Sequence, residues 1–411
     1  MRLLFLALAC PLPANNGHTM RTWALLRALA AEGHEVTLLA FGEASLVEPT
    51  HQVLLRDVCR TVELIPLAWP QLSSLRDLRR RLGAMTDYRP YSVRRFDSPP
   101  MRTRVAAHLA TGSFDSIVCD VFTAVNLPET PLPILLNNEN VEHVILRRYL
   151  DRERNPLKLA YAWLEYGKLK RWEHDICHRS AVGMACSDSD RAVLARLAPA
   201  LRLTTVPNVV DLPPEPSAAE EDPLTVAFQG GLDWYPNRDA VTFLLIAILP
   251  ELRRRVPDVR FVIAGRNPDA RFVRRFQHLP GVTFTGTVAD MRPVIAQAAV
   301  CVAPLRIGSG TRLKILEAAA MAKAMVATTV GAEGLDFQVP EEIVLADEAA
   351  AFADATAALL RNPRLRREMG QAARARVGRQ YSLSALRASL RLVLDGLTHP
   401  GSHPPRESVP A

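Results

Sequence analysis

The feature that most constrains this chain is an alternation that occurs twice. Short, continuously apolar runs at 3–9, 35–40, 61–67, 116–121, 133–138 and 181–187 are separated by stretches with the apolar period of a helix. A strand buried on both faces has no reason to alternate apolar with polar residues, so such runs predict parallel strands covered by helices on either side. One intervening helix, over 157–178, is long and mixes polar with aromatic residues. The pattern stops at PNVVDLPPEPSAAEEDP (207–223), which is rich in proline and acid and has no period. It restarts at 224–230 and continues through 259–265, 282–286, 299–304, 324–329 and 342–346. The expected fold class is α/β: two Rossmann-like domains, 1–206 and 224–381, joined by a linker at 207–223 and facing across a cleft. An amphipathic helix over 382–397 crosses back, and the Pro-rich tail 398–411 is expected to be disordered.

At 411 residues the chain exceeds what one compact core serves. A content of 48% hydrophobic and 23% charged residues excludes a disordered chain. The net charge of +7 favours an anionic partner (a nucleotide, a phosphate or an acidic membrane surface) without choosing among them. Lysine is scarce, with Lys158, Lys168, Lys170, Lys314 and Lys323 the full set. A lysine inside a motif therefore carries more weight here than an arginine cluster. The six cysteines are scattered, with no C-x-x-C pair, and predict a reducing cytoplasm and no metal site. The opening MRLLFLALAC is short for a secretion signal and has only Arg2 ahead of it. PANNGHTMR, the helical TWALLRALAAEG and the apolar HEVTLLAF follow, so the opening reads as the first strand of a β-turn-α-turn-β unit. No window approaches the ~20 apolar residues of a membrane span.

Chemistry concentrates in GSGTRLKILEAAAMAKAMVATTVGAEGL, residues 308–335. An apolar strand ends at Pro304, a loop carries Gly308 and Gly310, and a helix starts near Thr311. Free backbone N–H groups at the positive end of a helix make a natural anion site, and glycines let a ligand approach that backbone. Lys314 and Glu317, three residues apart, share a helix face beside the turn. A capped helix with a Lys–Glu surface pair explains these residues about equally well.

The second half strongly resembles the retaining GT-B glycosyltransferases of family 4, often called group 1, and the match covers nearly the whole chain. The resemblance is carried, in order, by PLPANNGHTMRTWALLRALAAEGHEVTLL, VPNVVD (206–211), FQGGLDWYPNRDAV (228–241), RFVIAGRNP, GVTFTGTVADM and PLRIGSGTRLKILEAAAMAKAMVATTVGAEGL. The G-[ST]-R-x-K-x-L-E spelling is similar to the sugar-transferase branch of exopolysaccharide and capsule pathways. The resemblance implies a cytoplasmic hexosyltransferase that takes a nucleotide sugar as donor and needs neither cofactor nor metal. It implies a glycan or lipid-linked acceptor, and the departing phosphate oxygen would take the acceptor proton. Glu317 would accept hydrogen bonds from the ribose, and the amides of Thr311, Arg312 and Leu313 would hold the diphosphate beside Gly308 and Gly310. Main-chain groups near Thr287 and Val288 would meet the base.

Departures from the family pattern are specific. The family's second glutamate, eight residues before the first, is Ser309 here. Its phosphate-binding Arg and Lys fall near Gly231 and near Pro236 or Asn237. Arg312 and Lys314 are the candidates to replace those cations from the helix side, with Arg238 and Arg306 as weaker ones. The loop 14–21 matches the family's N-domain glycine loop, where Gly17 would face donor phosphates or acceptor; His18 reads equally as surface or ligand. In NNENVE the family's histidine is replaced by Glu139, either a group orienting or polarising the acceptor or a loop acid without a role. The stretch 76–96 mixes basic and aromatic residues and matches a region that in relatives lies near the acceptor and can touch membrane lipid; a solvated face explains it too. Nucleic-acid binding would need a basic, aromatic-interleaved element that the chain lacks elsewhere. A GT-B epimerase or phosphorylase and a non-catalytic nucleotide-sugar-binding protein are the competing readings.

Overall fold

The computed structural model describes residues 1–67, 81, 83–214, 221–266 and 269–398. Residues 76–80 and 82 of the basic-aromatic stretch, 215–220 of the linker and 399–411 of the tail lie outside the described residues.

The first sheet contains β1 (Arg2–Ala7), β2 (Glu35–Phe41), β3 (Thr61–Ile65), β4 (Ser116–Cys119), β5 (Ile134–Asn138), β6 (Val182–Ala185) and β7 (Arg202–Thr205). They are ordered β3-β2-β1-β4-β5-β6-β7, every pair parallel. The second sheet contains β8 (Asp222–Gln229), β9 (Arg260–Ala264), β10 (Val282–Gly286), β11 (Ala298–Ala303), β12 (Ala324–Ala327) and β13 (Val344–Leu345). Its order is β10-β9-β8-β11-β12-β13, again all parallel. Both sheets are Rossmann-like and the architecture is GT-B. Each strand order reverses beside its first strand, between β1 and β4 and between β8 and β11, and such switch points open a crevice at the carboxyl ends of the strands.

Burial follows the apolar runs. One core cluster covers both faces of the second sheet, whereas the two faces of the first sheet form two clusters. Leu386, Leu390, Val393 and Leu394 of the last helix, Leu383–Thr398, belong to a first-sheet cluster although the helix follows the second sheet in sequence. That helix ties the end of the chain back onto the N-terminal domain.

Two local features depart from the sequence reading. β7 (RLTT) is a short, half-exposed edge strand with too few apolar residues to register as a run. The helical apolar period of DAVTFLLIAILPELRRRV is broken in register: Tyr235–Phe243 passes through a π turn at Leu244–Ile248 into Leu249–Arg255. Pro250 has no N–H to donate backwards, and a wider turn ahead of it lets the helix continue without that bond.

Candidate functional site

The two switch points face one another across a cleft of about 1110 Å³. From the N-terminal domain it is lined by Asn16, Gly17 and His18 after β1 and by Glu139 and Asn140 after β5. The other wall carries Gly230, Gly231 and Asn237 after β8, Thr287 and Val288 after β10, and the 308–317 segment after β11. Two helix N-termini converge here. Gly17 opens the helix Gly17–Ala31, and a Cβ at Gly17 would lie 3.6 Å from the Leu313 side chain that opens the helix Leu313–Ala320. The first helix is capped by the Asn16 side chain; the second has no side-chain cap at Arg312, leaving its N-terminal amides for a ligand.

The two cations of the motif separate. Lys314 Nζ donates to Asn237 Oδ1 at 2.8 Å and lies 4.2 Å from the centre of the Phe228 ring. A Cβ at Gly230 would stand 2.8 Å from Nζ, so the residue there has to be glycine for the amine to take this place. The ammonium of Lys314 thus occupies the neighbourhood of Asn237, where the family resemblance places a lysine. Burial and then the Arg312 charge hold Lys314 down to about 7, partly offset by Glu317. Burial in turn pushes Glu317 up to about 7 against the pull of Lys314. Gln229 Nε2 spans the helix face, donating to Lys314 O at 2.9 Å and to Glu317 Oε2 at 3.1 Å.

Arg312 instead turns back onto its own loop. Its Nη1 donates to Ser309 O and, at 3.0 Å, to Gly310 O. Its Nε and Nη2 are buried without a hydrogen-bond partner among the described residues. Burial lowers Arg312 to about 10, against the nearby carboxylates of Glu333 and Asp190. Arg238 does not line the cleft: it follows Asn237 on the same helix, and consecutive helical residues point roughly 100° apart. Arg306 is also outside it, engaged by both oxygens of Asp239 and stacked over Phe243.

Ser309 is only 3% exposed, and its hydroxyl joins the domains. Oγ accepts from Val141 N–H at 3.0 Å and donates to Asp190 Oδ1 at 2.8 Å. Gly310 sits at φ 75° with its N–H directed at Asp190 Oδ1, 3.3 Å away, so that amide is taken by the other domain. A Cβ there would meet Asn140 Oδ1 at 2.5 Å, so glycine is required for both its conformation and the close approach. Arg148 adds a two-pronged ion pair to Glu333 and a bond to Gly308 O. Asn208 of VPNVVD donates to Thr311 Oγ1 at 2.7 Å and accepts from Arg21 Nη1 at 2.9 Å. Sequence reasoning did not single out Asp190, Arg148, Glu333, Arg21 or Gln229. Arg21, Asn208, Gln229 and Glu333 carried a signal, each lying inside a stretch that resembles the family.

Arg21 is 2% exposed and also donates to Asn137 Oδ1 and Val206 O. Arg21→Ala leaves these buried acceptors unpaired and is expected to cost about 2–3 kcal/mol, read as a lowered melting temperature. An unchanged melting temperature would show that water replaces the guanidinium freely.

On the N-terminal wall His18 Nδ1 donates to Glu139 Oε1 at 2.7 Å. Burial alone would lower His18, but the charge and hydrogen bond of Glu139, with the charge of Asp120, bring it above its ordinary value. Asp120, at the end of β4, is pushed up to about 6 by burial. Behind them Glu142 is raised to about 8 by burial and by Glu173, which accepts from the Glu142 and His143 amides. The described part of the basic-aromatic stretch is largely neutralised: Arg89 pairs with Asp87 and Asp97, and Arg94 with Asp87. It is not an open basic face.

Comparison with known proteins agrees with this geometry. Residues 223–362 match the family model described as glycosyl transferases group 1. An uncharacterized 44.6 kDa protein in the cps region of Klebsiella pneumoniae is 20% identical over 86% of this chain and 89% of its own length. The structure of sucrose-phosphate synthase from Thermosynechococcus elongatus superimposes with a TM-score of 0.72 at 17% identity, covering 98% of this chain and all of that one. Anabaena HepE in complex with UDP-glucose superimposes with a TM-score of 0.60 at 13% identity, over 96% of this chain and 100% of the other. The second domain thus matches the group 1 glycosyltransferase model over residues 223–362, and the chain as a whole shares the GT-B frame of these structures.

Proposed function

We propose that the protein is a metal-independent, retaining hexosyltransferase that moves a sugar from a nucleoside diphosphate sugar to a glycan or lipid-linked hydroxyl, in exopolysaccharide or capsule assembly. The observation that carries this reading is the Lys314 ammonium held at Asn237, beside the uncapped helix terminus and above Glu317, on the floor of a cleft shared by both domains. Lys314 meets the diphosphate and the amides of Leu313 and Lys314 spread its charge, while Glu317 accepts from the ribose. As the bond from the sugar C1 to the phosphate oxygen breaks, negative charge grows on the diphosphate where these fixed groups already point, which is how preorganised electrostatics lower a barrier. Arg312 shapes the glycine loop and adds to the local field. The cps-region relative supports the capsule setting, and the UDP-glucose complex of HepE supports a nucleotide-sugar donor.

A site of action in the cytoplasm at the inner membrane face is part of this reading. Among the described residues no helix is long and apolar enough to cross a membrane. The start of the helix Pro156–Arg179 exposes Leu157 at 82% and Trp163 at 49%, with Lys158 beside Leu157 and Arg147 over the Trp163 ring. An apolar face with a basic edge suits peripheral contact with anionic lipid.

A thermal-shift panel of UDP-, GDP-, ADP- and CDP-glucose tests the donor site. A ligand at 100 times its Kd stabilises by about 2.7 kcal/mol, so one of the four is expected to raise the melting temperature clearly. No shift with any of them would overturn the reading. Because Ser309 is committed to the domain contact, a non-catalytic nucleotide-sugar-binding protein is the second reading. Slow release of nucleoside diphosphate in water separates them, since a sensor binds without turnover.

A further inference from the structure

We infer that His18 is the base that takes the proton of the acceptor hydroxyl, and that Glu139 is its positioning residue. The inference rests on the donor site proposed above and goes beyond it, because the family resemblance implies a phosphate oxygen in this role. Four observations carry it. His18 and Glu139 both line the cleft, opposite the 308–317 segment. A Cβ at Gly17, the residue before His18, would lie 3.6 Å from the Leu313 side chain, so the His18 loop adjoins the helix terminus proposed to hold the diphosphate. The Glu139 carboxylate takes the Nδ1 hydrogen at 2.7 Å, which fixes the tautomer with its lone pair on Nε2. That Nε2 is buried and has no partner among the described residues, an arrangement that costs free energy unless a ligand completes it.

A carboxylate on one imidazole nitrogen and a reacting hydroxyl on the other is the arrangement of a base that must become charged in the transition state. The acceptor oxygen bonds to the sugar C1 as its proton passes to Nε2. The bond from C1 to the diphosphate breaks, and that electron pair leaves with the nucleoside diphosphate. The imidazolium so formed is matched by Glu139 just after β5 and by Asp120 just after β4, while Arg21 on the same helix as His18 opposes it. Against the effect of burial, the charges of Glu139 and Asp120 raise the proton affinity of His18 above its ordinary value, which favours proton uptake from the acceptor. Glu139 thus acts through His18 rather than on the acceptor directly.

The test compares wild type with His18→Gln, Glu139→Gln and Asp120→Asn, using the nucleotide glucose that stabilises the wild type. Donor Kd is measured by calorimetry, and turnover as nucleoside diphosphate release with water and with n-octyl glucoside as acceptors. Donor affinity is expected to stay within about 2-fold in His18→Gln while turnover falls by roughly 10²- to 10⁴-fold. In wild type kcat at saturating donor, which is free of the Lys314 effect on donor affinity, rises with pH through the His18 transition. Glu139→Gln, which removes the charge that holds the proton, moves that midpoint to lower pH, and Asp120→Asn moves it the same way by less. A merely structural role for Glu139 would lower activity without moving the midpoint. Histidine NMR in the absence of ligand gives a reading independent of turnover: His18 should titrate above 6.5 in wild type and lower in Glu139→Gln. The inference is overturned if His18→Gln keeps its turnover, if it loses donor affinity in step with turnover, or if the midpoint stays in place in Glu139→Gln. A wild type that binds donor but releases no nucleoside diphosphate to either acceptor also overturns it. A wild type that binds none of the four donors fails the donor-site reading instead, and a low His18 titration would fail the pairing alone.

Discussion

Lys314→Ala is expected to weaken donor binding by about 10- to 100-fold, the worth of one charge-assisted hydrogen bond to a phosphate. The wild-type amine has a neutral partner in Asn237 Oδ1 and an aromatic face beneath it, so no hydrogen-bonded carboxylate competes with a phosphate for its charge among the described residues. The pH dependence follows from the direction of its shift. Burial, and secondarily Arg312, bring Lys314 down to about 7, so below neutrality it is charged and above it increasingly not. Wild-type affinity for a nucleotide sugar should therefore fall as pH rises through 7, approaching tenfold per unit once the amine is neutral. Lys314→Ala should have lost that slope. In the free protein the same substitution should leave the melting temperature unchanged or raise it slightly, because a buried charge has been removed. Calorimetric titration at pH 6 and pH 8.5 decides the matter; equal affinities for mutant and wild type at pH 6 would remove Lys314 from the donor site.

Ser309→Glu is expected to destabilise rather than to restore a family contact. A glutamate at this position would push a second carboxylate against Asp190 in a pocket where Ser309 is 3% exposed. It would also have to keep the Val141 N–H satisfied. A buried charge without a counterpart costs about 3–5 kcal/mol, enough to lower the melting temperature by several degrees and to loosen the domain contact. Ser309→Ala removes the acceptor without adding charge and should cost less, about 1–3 kcal/mol. Full stability together with tighter donor binding in Ser309→Glu would refute the assignment of Ser309 to the domain contact.

The contrast between these two residues separates what was legible in the sequence from what was not. Both lie within six residues of one another in GSGTRLK, and the motif alone placed both at the donor. Their side chains leave the backbone toward different neighbours. Ser309 meets Asp190, 119 residues away, and Lys314 meets Asn237, 77 residues away. Neither separation has a local signature. The departures at Gly231 and Asn237 were visible as missing cations, but only the fold shows the Lys314 amine reaching into the space beside Asn237.

The sequence by itself determined the two parallel sheets, because strands buried on both faces must be continuously apolar and the helices between them must carry one apolar face. It also determined the glycine turn into Leu313–Ala320, since few other residues let backbone amides stand open at a helix terminus. The tertiary structure decided which loops meet. Strand order brings the ends of β1, β4 and β5 together and so sets His18 against Glu139, 121 residues apart. It likewise turned Arg312 inward and Arg238 away from the cleft. Periodicity records which face of an element is buried; it carries no record of which distant loop that burial brings within hydrogen-bonding reach.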